Sequence, residues 1–195
     1  MKTRAFSLLA CGAFALATAA CSSKTPDGTG SEAAAADMNA SSSADDAMAS
    51  PAADAGSDAA AFVADGMKGD NSEVKLGKLA ASKGSTAAVR DYGTMLATDH
   101  GKHKQDLAKL GGTMNVAATD DTTPEADAEY TKLQGLSGAA FDKEFATFMV
   151  TDHQKAIAKY QAQADGSGPA PLVALAKDTL PKLKKHLETA QSLAK

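Results

Sequence analysis

From about residue 59 to the end, apolar side chains return every three or four positions, and no stretch alternates with the period of two that marks a strand. The gaps between these stripes carry turn chemistry. The pattern predicts α1 over residues 59–83, opening after Ser57 or Asp58 and stopping at Gly84. It predicts α2 after Ser85 as N-cap, ending at Gly111-Gly112. A polar loop then leads to Thr123-Pro124-Glu125, a capping Thr followed by Pro at the first helical position, which opens a short α3 to Gln134. The fourth helix, α4, starts after Ser137 and stops near Gly166-Ser167-Gly168, and α5 fills the chain from Pro169 to its end. Pro181 should kink α5 or force it to restart, because proline removes a backbone donor and its ring clashes with the preceding turn. Four long helices with two short connections predict an all-α, up-down-up-down four-helix bundle, with α3 as a short extra helix between the second and third long ones.

Upstream of residue 59 the pattern changes character. Residues 1–4 carry two positive charges, residues 5–20 are an apolar run, and Cys21 follows. A basic start, an apolar core too short to span a membrane as a mature helix, and small residues before a cleavage point make a secretory signal. Thr18-Ala19-Ala20-Cys21 resembles a bacterial lipobox, although Thr18 stands where Leu is usual. Cys11 follows Leu8-Leu9-Ala10, which fits the lipobox letters better but leaves too little apolar core ahead of it. The expectation is therefore a signal peptide over 1–20, lipidation of Cys21, and attachment to a membrane through that lipid. Ordinary cleavage after Ala19, giving a soluble periplasmic protein, is the alternative. Ser22 after the anchor resembles Gram-negative lipoproteins of the outer membrane, so a periplasm-facing outer-membrane lipoprotein is expected.

Residues 22–58 are mostly Ala, Ser and Asp, with Pro26, Pro51 and several Gly, and Met38 and Met48 are their only large apolar side chains. Such a segment cannot bury enough surface to offset the entropy of ordering it, so residues 21–58 read as the lipidated Cys plus a disordered tether. That leaves residues 59–195 as one helical domain of ordinary size. Charge divides along the same line. The tether holds seven acids against Lys24, whereas residues 59–195 hold 17 basic and 17 acidic residues and are neutral overall. Nothing there resembles the basic stripe of a nucleic-acid-binding protein. With Cys11 lost in the signal and Cys21 acylated, the domain has no thiol, which excludes disulfides, thiolate metal sites and cysteine nucleophiles.

Candidate chemistry is concentrated in four histidines, His100, His103, His153 and His186. At 100° per residue, His100 and His103 share an arc of α2 with Val89, Leu96 and Leu107. On α4, His153 shares a stripe with Met149 and Tyr160; on α5, His186 does so with Leu172, Leu183 and Ala190. On α1, Glu73 falls on the side of Leu76 and Ala80. Glu73, His100, His153 and His186 each lie near the middle of a helix, and midpoints coincide in an antiparallel bundle. They should therefore form one polar belt, the way bundles build metal sites from inward side chains. Three His and a carboxylate suit Zn, Cu or Fe better than Mg or Ca. His103 is a further candidate ligand; Asp99 and Asp152, off the stripes, are expected to accept from ring N–H groups, with Asp99 a further candidate ligand. The competing expectation is a purely structural belt of His–Glu hydrogen bonds that fixes register. An internal echo joins two of these helices: Met95-Leu96-Ala97-Thr98-Asp99-His100 repeats as Phe148-Met149-Val150-Thr151-Asp152-His153 at an offset of 53. Of the remaining acids, Asp142 reads as a cap or an ion-pair partner near an end of α4.

Four short phrases then carry a family resemblance: Glu73-Val74-Lys75-Leu76-Gly77-Lys78-Leu79-Ala80, the segment ending at His100, Phe141-Asp142 leading to Met149-Val150 and His153, and Leu180-Pro181-Lys182-Leu183 with His186-Leu187. In this order they are similar to domain-of-unknown-function family 4142 (DUF4142), predicted outer-membrane proteins with ferritin-like bundles. The resemblance implies a ferritin-like fold and an envelope location but no reaction. Di-iron ferritins carry Glu-x-x-His on two helices, whereas Ala97, Val150 and Leu183 stand three before the three mid-helix histidines here. With only Glu73 as an inward carboxylate, ferroxidase chemistry is not expected. The sequence therefore points to a non-enzymatic envelope lipoprotein, its bundle holding one transition-metal ion or serving as a structural or protein-interaction module.

Overall fold

The computed structural model describes residues 51–195, with side-chain detail from residue 56. The expected signal peptide, Cys21 and the tether as far as residue 50 lie outside the described residues. Among the described residues the fold is all-helical, with no strand: α1 Pro51–Lys83, α2 Ala87–Gly112, α3 Pro124–Gln134, α4 Gly138–Asp165 and α5 Ala170–Leu193. None of these helices is long and apolar enough to cross a membrane. The first helix begins at Pro51, earlier than its apolar stripe, so Ser57 and Asp58 lie inside it and cap nothing. Gly56, Ser57 and Asp58 are exposed and burial starts at Ala59, which is where the periodicity became readable. Pro181 does not restart α5, which is continuous across it.

Local chemistry explains the other boundaries. Thr86, one residue beyond the expected Ser85, caps α2 by accepting from Val89 N at 3.3 Å, and Thr123 caps α3 from in front of Pro124. Ser85 serves a different contact. The Asp142 carboxylate accepts from Ser85 N at 2.8 Å, Ser85 Oγ at 2.6 Å and Thr86 N at 3.1 Å, which ties the start of α4 to the start of α2. Burial alone would raise the Asp142 carboxyl, but these hydrogen bonds outweigh it and hold the group below its usual range.

The helices pack as two antiparallel pairs, α1 with α2 and α4 with α5. Between α1 and α2 the backbones approach closely at Gly77 and Gly93. A Cβ on Gly93 would stand 2.5 Å from Gly77 O, and one on Gly77 would stand 2.6 Å from Gly93 O. The two pairs are not arranged as expected. Contacts between α2 and α4 keep a nearly constant residue difference: Tyr92 meets Phe145 and His100 meets His153 at an offset of 53, and His103 meets Tyr160 at 57. Constant difference means parallel helices, so the up-down-up-down order is incorrect. The reason is the long connection. Leaving α2, the chain turns through Asn115 at φ 57° and runs back along α1 in the same direction as α1. Asn71 Nδ2 donates to Thr119 O and Asp121 O, Thr123 N donates to Ser72 Oγ, Lys75 pairs with Asp127 at 2.8 Å, and Lys83 donates to Leu133 O and Gln134 O. The connection thus climbs the height of α1, and α4 must start where α2 started.

Two apolar layers result. One gathers Leu76, Tyr92, Leu96, Phe141, Phe145 and Met149; the other is built from Val63, Met67, Leu107 and Leu172, with Tyr160, Leu180 and Leu183 beside them. Glu73, His100, His153 and His186 fall between the layers in sequence on all four long helices, and all four are buried.

The glycine crossing gives a direct test. Gly93→Ala should lower stability by about 1–3 kcal/mol, since the added methyl meets backbone that cannot move aside. Gly69→Ala, where a Cβ meets nothing within 4 Å, should raise it by up to about 1 kcal/mol through helix propensity. Thermal melts followed by circular dichroism should show Tm moving in opposite directions.

Candidate metal centre

Each long helix contributes to the polar layer through a residue on its buried stripe. The rings of His100, His153 and His186 face one another, with centroids 5.8 Å, 5.4 Å and 5.3 Å apart for the three pairs. One ring nitrogen of each is held by an acceptor. His100 Nδ1 lies 2.8 Å from Asp70 Oδ1, His153 Nδ1 lies 3.0 Å from Met149 O, and His186 Nε2 lies 3.0 Å from Asp99 Oδ2. The other nitrogen of each ring, Nε2 of His100, Nε2 of His153 and Nδ1 of His186, is buried and has no hydrogen-bond partner. Buried polar atoms are nearly always satisfied, so three unanswered nitrogens at one place call for a common partner.

The three imidazoles offer one ligand nitrogen each, all within 4.8 Å of one another. An ion at the centre of such a triangle is at most about 2.8 Å from each, against 2.0–2.1 Å for a zinc–imidazole bond. Protonation favours the same chemistry. Burial first, then the charges that His100 and His186 would carry, push His153 down to about 3. Burial also lowers His186, against the hydrogen bond to Asp99. Both rings are therefore neutral at neutral pH and hold a free lone pair. The acceptors on the outer nitrogens fix the tautomers, as metal-binding imidazoles require.

Glu73 is placed differently from the expected fourth corner. It joins a second group with Asp152 and His153, whose ligand atoms also lie within 4.8 Å of one another, and its Oε1 is 3.5 Å from His153 Nδ1. Burial, then the charge of Asp152 and a hydrogen bond with it, then the charge of Asp70, push the Glu73 carboxyl well above the usual range. Asp152 lies beside Glu73, their carboxylate oxygens within 4.8 Å, and does not accept from a ring N–H. Asp99 does accept from a ring, that of His186. His103 is turned away from the triangle: its Nδ1 lies 2.8 Å from Asp70 Oδ2 and its Nε2 is 3.4 Å from the Tyr160 hydroxyl. A cavity of about 290 Å³ between α1 and α4 reaches Glu73 and His100.

Asp70 escaped the sequence reading, although one carboxylate of this buried residue bridges His100 and His103. A signal was present. Asp70 stands three residues before Glu73, on the stripe formed by Ala59, Val63, Met67, Leu76 and Ala80, where an acid has no apolar excuse.

The neutral, buried His153 makes the metal-free protein acid-sensitive. Its folded value is depressed, so the unfolded chain binds a proton below about 6.5 that the folded chain refuses down to about 3. Stability in chelator should fall as pH drops through that window, with a slope of up to about 1.4 kcal/mol per pH unit from this residue. Glu73, whose folded value is raised, acts with the opposite sign above its unfolded value. Denaturant titrations at pH 7 and pH 5 isolate the His153 part by difference: from pH 7 to pH 5 the wild type should lose more stability, or gain less, than His153→Leu.

The family model described as a domain of unknown function (DUF4142) matches residues 32–193, beginning inside the segment expected to be a tether. No curated protein and no solved structure matches the chain.

Proposed function

The chain belongs to the DUF4142 family, and from that premise we propose that it is an envelope lipoprotein whose ferritin-like four-helix bundle holds one transition-metal ion on His100, His153 and His186. Support for the fold is the single long connection between two antiparallel helix pairs, the arrangement by which ferritin-like bundles differ from simple up-and-down ones. Support for the metal is one observation above all: the three buried ring nitrogens without partners all belong to the residues that converge. A purely structural belt accounts for the nitrogens held by Asp70, Asp99 and Met149 O but leaves the other three stranded in the core. An all-imidazole set suits Zn, Cu or Fe. Three protein ligands leave a further position open, as metal sites that bind an outside ligand do.

An ion bound only by the folded form stabilises it by about 2.7 kcal/mol at a hundredfold excess over Kd. Zinc or copper should then raise the Tm of the chelator-washed protein by several degrees, and His153→Ala should abolish the rise. A wild type that melts identically with chelator and with each metal contradicts the metal centre.

Attachment to the outer membrane through Cys21, facing the periplasm, is part of the same reading and rests on the lipobox-like Thr18-Ala19-Ala20-Cys21 and on Ser22. Cys21→Ser should make the protein extractable without detergent. A wild type already soluble without detergent removes the anchor and leaves the bundle's chemistry untouched.

A further inference from the structure

Packing is tight within each helix pair, α1 with α2 and α4 with α5, whereas across the pairs α1 and α4 touch each other far less. The cavity lies in that gap. Its walls hold five carboxylates (Asp65, Asp70, Glu73, Glu125 and Asp152) against two lysines, Lys155 and Lys159. Within it, Glu73 and Asp152 bring carboxylate oxygens within 4.8 Å of each other and of a ring nitrogen of His153. Glu73 is only 4 % exposed, and its Oε2 has no hydrogen-bond partner. Two carboxylates this close, one of them buried with an unanswered oxygen, need a proton or a cation between them.

We propose that Glu73 and Asp152 form an outer cation site, which takes a divalent transition-metal ion from the cavity and passes it to the three imidazoles behind. The proposal rests on the three-imidazole centre proposed above. Its parts are in order of depth: an acidic cavity open to solvent, two carboxylates at its wall, and His153, which belongs to both groups of candidate ligands. Each part has a physical role. Carboxylates of one sign in a low-dielectric cleft raise the local concentration of a cation and speed its arrival. Carboxylate oxygens hold late transition ions less firmly than imidazole nitrogens do, so transfer inward runs downhill. No bond to hydrogen need break at His153, because Nδ1 keeps its contact with Met149 O while Nε2 is without a partner.

The test is cobalt(II) uptake by the full chain after chelator washing, followed in a stopped-flow spectrophotometer through the visible bands of a low-coordinate cobalt centre. The wild type should develop the bands to one cobalt per chain, at a rate that falls as salt is added. Asp152→Asn and Glu73→Gln should each slow the rise by about tenfold or more, the lower end of what electrostatic steering supplies, and should reach the same final spectrum. Asp152 is half-buried and anchors no helix end, so its variant keeps the test available even where Glu73→Gln perturbs the core. Variants that load at the wild-type rate overturn the outer site and leave the inner centre standing. Variants that lose the final bands as well also overturn it, since the carboxylates would then be ligands of the centre itself. A wild type that develops no bands removes the inner centre, and the outer site with it.

Discussion

Three imidazoles buried at one level of an alanine-rich helical core carry six ring nitrogens, and each nitrogen must find a partner or be left at a cost of about 1–3 kcal/mol. Three find one: the Asp70 carboxylate, the Met149 carbonyl and the Asp99 carboxylate. These partners come from α1, α4 and α2, so holding the rings engages three of the four long helices. The remaining three nitrogens are buried without partners, on rings that each bring a nitrogen within 4.8 Å of the others. Rotating any ring to satisfy its inner nitrogen would give up the hydrogen bond on its outer one. In the reading proposed here a metal ion is the partner that satisfies all three at once, and each ring is already held in place through its other nitrogen.

That geometry depends on how the chain is routed. With α2 and α4 parallel, equal depth means a constant residue difference along both helices, and the difference is 53 for Tyr92 with Phe145 and for His100 with His153. The parallel course is enforced by the climb of residues 113–137 along α1, fastened at Asn71, Ser72, Lys75 and Lys83. Asp142 closes the arrangement by tying the first turn of α4 to the start of α2. A slip of one helical turn at either fastening would move His153 about 5.4 Å out of the plane of its partners.

The helices, the cap at Thr123, the start of α4 after Ser137 and the mid-helix placement of the three histidines were legible because they depend on local periodicity and turn chemistry. Helix direction was not, since it depends on where a polar connection of mixed composition lies on its neighbours. The phrase shared by residues 95–100 and 148–153 carries the same offset of 53 that the parallel helices keep in space, so the echo recorded the register of their pairing. Glu73 lies on the expected helix face, but it groups with Asp152 and His153 rather than with all three imidazoles. A helical wheel gives a residue's direction only to within a turn, and it cannot separate an inner group of three imidazoles from an outer pair of carboxylates. Asp70 shows no partner in its own sequence neighbourhood, since its two histidines lie 30 and 33 residues away on another helix.

What the buried rings hold can be read most directly by X-ray absorption at the zinc edge of the zinc-loaded full chain. Three nitrogen neighbours at about 2.0 Å, with the outer-ring scattering characteristic of imidazole, are the expected result. A spectrum built from oxygen neighbours alone, or no zinc retained after gel filtration, would contradict a metal centre on His100, His153 and His186.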